Sequence, residues 1–289
     1  MKFVTYSIDG KENVGVLTAD ESAVIPACEL GYKATEMVAL IKEMGGTLPT
    51  VKGDEKTLPV SAVKLEAPIP EPYQDVVCLG LNYSEHAAEA AKAFDAFKLE
   101  RGEAVYFGKR LNRAVAPGDG IDGHFDICDS LDYECELAVV IGKDALNVRA
   151  EDAQDYIFGY TILNDVSARN IQTKHKQWYF GKSLDGFTPM GPCILADSSL
   201  GAAPELGIRC YVNGELRQNS STRNLIFDIP YIIEDLTRGM LLKAGTIIST
   251  GTPSGVAMGM PEETREYLKP GDVVRCEIDG IGVLENTVI

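Results

Sequence analysis

The chain has 289 residues, 45% of them hydrophobic and 24% charged, which suits a soluble globular protein with one large domain or a medium and a small one. Its formal net charge of −16 repels phosphate backbones and anionic lipid, so neither nucleic acid nor a membrane surface is an expected partner. An anionic substrate would need a local cationic centre, a metal or a few lysines, to overcome that field.

At the start, Lys2 is followed only by Phe3 and Val4 before Thr5 and Ser7 break the apolar stretch, so no signal peptide is expected. No run approaches the length of a membrane span. The segments FVTYSI and VGVLT flank Asp9-Gly10, a hairpin-type turn signal. ATEMVALIKEMGG then reads as a helix, with Met37, Leu40, Ile41 and Met44 on one face and Gly45-Gly46 as its stop. A proline-rich connector ends in Ala67-Pro68-Ile69-Pro70-Glu71-Pro72, which favours an extended linker. This divides the chain into a small N-terminal α+β domain, residues 1–70, and a larger domain, residues 71–289.

The larger domain is strand-rich. VVCLGL and ELAVVIG read as buried strands, while residues 85–98 read as a helix or a flap. GIRCYVNGELRQ and VVRCEIDGIGVLENTV carry Asn213-Gly214 and Asp279-Gly280 as hairpin signals. IPYIIEDLTRGMLL reads as a helix with Pro230 suited to its first turn. The expected class is therefore a β-rich α+β fold. Seven cysteines form no CxxC pair, and several sit in apolar runs, so they read as reduced core thiols of a cytoplasmic protein.

Five segments carry the polar chemistry. In Asp132-Tyr133-Glu134-Cys135-Glu136-Leu137, a strand would project Glu134 and Glu136 to the same face. They are either a solvated strand edge or a pair that needs a cation between them. Asp165, after the apolar run FGYTILN, either caps a turn or supplies a third carboxylate. Three oxygen ligands with no convergent Cys or His would suit Mg²⁺, Mn²⁺ or Ca²⁺ rather than zinc. In NYSEHAAE, His86 and Glu89 lie at i, i+3 on a helix, as an ordinary surface pair or as an oriented general base. Lys182 in GKSLDG is a solvated loop residue or a donor aimed into a cleft. The glycines of STGTPSG allow backbone N–H groups to approach a ligand, and a plain turn accounts for them equally well.

Taken in order, GLNYSEHAAE, DYECELAVVIGK, FGYTILNDVSARNIQ, GKSLDGFTPMGPCI, VNGELRQNSSTRNLIFDIPYIIEDL and STGTPSGV resemble the fumarylacetoacetate hydrolase family over residues 74–289. The resemblance implies a β-roll catalytic domain, generally dimeric, preceded by a small N-terminal domain. It implies that Glu134, Glu136 and Asp165 bind a metal, usually Mg²⁺, and that His86 and Glu89 activate water. It places Lys182 against the substrate and its enolate, with Gln172 and Thr252 lining the pocket. Arg169 matches too, and we read it as a structural ion pair. Three places depart from the family pattern: Arg110 stands where a proline is usual, Asn170 where Asp is common, and residues 89–104 resemble no particular subgroup.

The expected activity is Mg²⁺-dependent hydrolytic cleavage of a carbon–carbon bond in a β-diketo acid of the acylpyruvate type. The nearest alternative is a metal-dependent decarboxylase acting on oxaloacetate, which uses the same enolate without the water. A third is a non-catalytic protein that binds a metal and a keto acid. A small anionic keto acid and a second copy of the chain, as a homodimer, are the expected partners.

Overall fold

The computed structural model describes residues 1–85 and 103–289. The first hairpin forms where Asp9-Gly10 places it. Strands β1 (Lys2–Ile8) and β2 (Lys11–Leu17) pair antiparallel, and φ values of 51° at Asp9 and 76° at Gly10 give the turn its two left-handed residues. Short strands β3 (Ala23–Pro26), β4 (Leu58–Pro59) and β5 (Lys64–Leu65) follow. Helix α1 (Met37–Met44) buries Met37, Leu40, Ile41 and Met44 and stops at Gly45 in the left-handed conformation.

The rest of the chain contributes β6 (Val76–Gly80), β7 (Val105–Lys109), β8 (Gly120–Ile121), β9 (Leu131–Asp132), β10 (Cys135–Ile141), β11 (Ile157–Asn164) and β12 (Ser167–Ala168). After these come α2 (Arg169–Lys174), α3 (Tyr179–Lys182), β13 (Met190–Leu195), β14 (Gly207–Val212) and β15 (Glu215–Ser221). Helix α4 (Ile229–Thr237), β16 (Ile247–Ser249), β17 (Val273–Ile278) and β18 (Gly282–Val288) complete it. The fold is α+β and β-rich.

Among the described residues, one large mixed sheet has the order β4-β3-β2-β1-β13-β11-β10-β16-β6-β7, with β5 on β1. A second sheet has the order β15-β14-β17-β18-β8, and β9 and β12 form a separate pair. The large sheet runs across residue 70, because Lys2 and Phe3 of β1 pair with Leu195 and Ile194 of β13.

Strand β10 lies between β11 and β16, and all of its residues are buried. Its two faces enter different cores. Cys135, Leu137, Val139 and Ile141 join Ile208, Cys210, Val274 and Cys276 of the second sheet. Ala138 and Val140 join Phe3, Val14, Met37 and Leu40 of the N-terminal segment. Burial on both faces is why ELAVVI reads as an unbroken apolar run rather than an alternating one.

Helix α4 begins where Asp228 accepts a hydrogen bond from the Tyr231 N–H at 2.9 Å, with Pro230 in the first turn. It stops at Thr237, short of the span its apolar pattern suggests. Gly239 weakens the helix beyond it, and Leu242 instead exchanges backbone hydrogen bonds with Ala145 at 2.8 and 3.0 Å. Among the described residues no helix is long and apolar enough to cross a membrane.

Candidate active site

The site is assembled at the open end of β10. Glu134 precedes the strand, Glu136 is its second residue, and Asp165 follows the adjacent strand β11. Strand pairing sets Glu136 opposite Leu163, and the Asp165 N–H donates to the Glu134 carbonyl at 2.8 Å, which fixes the third carboxylate beside the first two. One oxygen from each of Glu134, Glu136 and Asp165 lies within 4.8 Å of the others, and all three residues are buried. They are the only such cluster of His, Cys, Asp or Glu among the described residues. The solvated-edge reading of Glu134 and Glu136 is thereby excluded.

Buried carboxylates need partners, and each has them. Lys182 Nζ lies 2.8 Å from Glu134 Oε2 and 2.6 Å from Asp165 Oδ2. Lys109 Nζ, fully buried, lies 2.7 Å from Asp165 Oδ1 and donates to the Val166 and Lys182 carbonyls. Arg169 bridges Asp132 at 2.9 Å and Glu134 at 2.7 Å. Ser249 Oγ and the Gly251 N–H donate to Glu136 Oε2 at 2.5 and 2.8 Å.

Burial pushes the Glu136 carboxyl well above the usual carboxylate range, and neighbouring Asp165 and Glu134 push the same way. Burial alone would lower the Lys182 pKa, but Asp165 and Glu134 outweigh it and hold the ammonium above its ordinary value. The four buried carboxylates Asp132, Glu134, Glu136 and Asp165 face three cations, Lys109, Arg169 and Lys182, so full ionisation leaves one negative charge in excess. A divalent cation at the three convergent carboxylates would relieve the strain on Glu136 and leave the site positive towards an anion. The donor set, all hard oxygen, fits a cation of the Mg²⁺ or Mn²⁺ kind.

Beside the carboxylates lies a cleft. Its polar wall is Glu134, Arg169, Gln172, Lys182 and Thr252, and its apolar wall includes Leu79, Leu81, Phe107 and Trp178. Gln172 Oε1 accepts from Arg169 Nη1 at 3.0 Å. Thr252 Oγ1 donates to the Cys135 carbonyl and accepts from Gln218 Nε2. Arg169 is the ion pair the sequence suggests, and it also lines the cleft with Nη2 unpartnered among the described residues. His86 and Glu89 lie outside the described residues, as does most of the segment read as a helix or flap. Lys109 was given no role from the sequence. Its only signal there was a lysine closing the strand segment Val105–Lys109, which is where a charge would be least expected to bury.

Comparison with known proteins then fixes the family. The family model for the fumarylacetoacetate hydrolase C-terminal domain matches residues 75–289. The chain belongs to the fumarylacetoacetate hydrolase family. Among relatives, it is 44% identical over 229 residues to the oxaloacetate tautomerase YisK of Bacillus subtilis, covering 79% of this chain and 74% of that one. Among solved structures, it resembles a fumarylacetoacetate hydrolase from the psychrophile Exiguobacterium antarcticum with a TM-score of 0.85 and 36% identity, over 100% of this chain and 99% of that one. A maleylpyruvate hydrolase from Sphingobium, solved with manganese(II) and pyruvate, gives a TM-score of 0.77 and 26% identity over 100% and 99% of the two chains. Relatives and structural neighbours in the family thus include hydrolases and a tautomerase.

Proposed function

We propose that the protein is a divalent-metal-dependent enzyme acting on small 2-keto acids through their enolates, with keto–enol tautomerisation of oxaloacetate as its reaction. The observation that carries this reading is Lys182, a buried lysine held between the carboxylates of Glu134 and Asp165 and facing the cleft. Paired with both carboxylates, its ammonium carries a proton at neutral pH. Such a group can stabilise negative charge on the oxygen as the enol O–H proton is lost to solvent, then deliver its own proton to the carbon and be reprotonated from solvent. The unpartnered Nη2 of Arg169 offers a further donor to an anionic ligand, and Gln172 orients that guanidinium.

A cation of the Mg²⁺ type held by Glu134, Glu136 and Asp165 would act as a Lewis acid and neutralise the keto acid. The choice of oxaloacetate rests on the 44% identity to a tautomerase. The test is to follow decay of the enol's ultraviolet absorbance with protein and Mg²⁺ or Mn²⁺. Acceleration is expected with wild type and not with Lys182→Ala, and a wild-type rate equal to buffer would refute the reading.

Hydrolysis of an acylpyruvate is the second reading, favoured by the likeness to a maleylpyruvate hydrolase that binds manganese and pyruvate. It ranks behind because that likeness is at 26% identity, against 44% for the tautomerase. Decarboxylation of oxaloacetate would draw on the same lysine and metal.

A further inference from the structure

We propose that Trp178 is a specificity-determining residue, whose indole closes the apolar end of the cleft and restricts the enzyme to 2-keto acids with short tails. This rests on the keto-acid reading above and names the size class of its substrate.

Trp178 is the N-cap of α3, and the Lys182 N–H donates to its carbonyl at 3.1 Å. The two residues are therefore one helical turn apart and share a face. Both also meet Phe107. The Trp178 and Phe107 rings stand edge to face with centroids 5.2 Å apart, and Lys182 Nζ lies 5.1 Å from the Phe107 centroid. A single aromatic contact thus ties the indole to the ammonium assigned to the reacting end of the substrate.

On its other side Trp178 presses against β6. A Cβ at Gly80 would fall 2.2 Å from Trp178 Cζ3, so the strand carries glycine where the indole reaches the backbone. Gly80 and Phe107 hold the ring on two sides. The cavity is about 30 Å³, and Trp178 is the largest side chain lining it. A phenyl or long acyl tail attached to a keto acid at Lys182 would press on this wall more than a methyl or carboxymethyl tail.

Trp178 is the only tryptophan in the chain, so any change in tryptophan fluorescence reports this position. In wild-type protein with Mg²⁺, pyruvate and oxalate should alter that fluorescence, while phenylpyruvate binds much more weakly by calorimetry. In Trp178→Ala the phenylpyruvate-to-pyruvate affinity ratio should rise at least tenfold, with a smaller rise in Trp178→Phe. Circular dichroism checks that each variant is folded, and if Trp178→Ala is not, a threefold rise in Trp178→Phe decides. Pyruvate binding with an unchanged ratio in the folded variants would overturn the wall alone. If neither pyruvate, oxalate nor phenylpyruvate binds wild type, the functional reading falls and this proposal with it.

Discussion

Lys182 Nζ lies 2.6 Å from Asp165 Oδ2, and neither side chain is exposed to solvent. Lys109 takes the other oxygen of the same carboxylate at 2.7 Å, so one aspartate is held between two buried ammonium groups. Lys109 also donates to the carbonyl of Lys182, which ties the end of β7 to the end of α3. The arrangement fixes Asp165 in position before any ligand arrives.

Removing one of these cations leaves buried charge uncompensated. Lys109→Met keeps the length of the side chain and deletes the ammonium, so the loss should be on the order of 3–5 kcal/mol of stability. Asp165→Asn on the same background should recover part of it, because the remaining carboxamide carries no charge. Urea denaturation of the two single variants and the double variant measures the coupling. Additive effects would show that the pair does not act as a unit.

The convergent carboxylates predict a hard-metal requirement. Exhaustive chelation should abolish activity, and Mg²⁺ or Mn²⁺ should restore it. Glu136→Gln should weaken Mn²⁺ binding at least tenfold by calorimetry, while adding stability to the metal-free protein, because the buried carboxyl is already pushed towards its neutral form. Full turnover after chelation would rule out the metal centre.

The N-terminal segment should not be separable without cost. Deleting residues 1–70 strips β1 from β13 and removes Phe3, Val14, Met37 and Leu40 from a core they share with Ala138 and Val140 of β10. We expect the truncated chain to aggregate or to lose its cooperative melting transition. A soluble fragment with the full-length melting temperature would contradict this.

The full chain is predicted to be a homodimer, with light scattering giving twice the 31.3 kDa of one chain. In the apolar segment IFDIPYII, Ile229, Ile232 and Ile233 are in the protein's own core. The surface that remains includes Phe125, Ile127, Tyr179 and Phe180, all exposed. A chain that stays monomeric at micromolar concentration would remove the prediction.

Much of the site was legible because its signals are local. The alternation of Glu134 and Glu136 and the turn glycines and asparagines depend only on near neighbours. So does the stop of α1 at Gly45. What lay hidden depends on contacts between distant segments. Lys109 is 56 residues from Asp165 and looks like any strand-terminal lysine until β7 and β11 are placed in one sheet. Asp132 has no local signal of a role, yet it accepts from the backbone N–H groups of Ala257 and Met258 at 2.8 and 2.9 Å and so braces Arg169 from behind. The extent of the large sheet was equally hidden, because the pairing of β1 with β13 joins residues nearly two hundred positions apart and no local pattern encodes it.

The two readings of the reaction part at His86. Hydrolysis needs an activated water, so His86→Ala should lower acylpyruvate cleavage by about 10²–10⁴-fold, the usual range for a general base. Tautomerisation of oxaloacetate needs no water attack and should lose less than about tenfold. Lys182→Ala removes the donor that both reactions need, and it should damage both. It also leaves Glu134 and Asp165 short of a cation, so its melting temperature must be measured alongside the rates. Glu89→Gln adds a gentler probe, since it keeps side-chain size and helix propensity while removing the charge that would orient the imidazole. The decisive quantity is the ratio of the two kcat/KM values, taken on wild type and on each variant at saturating Mg²⁺. We expect His86→Ala and Glu89→Gln to shift that ratio towards tautomerisation by at least tenfold and Lys182→Ala to leave it near its wild-type value. Equal losses of both activities in His86→Ala would assign the histidine to substrate positioning rather than to water activation.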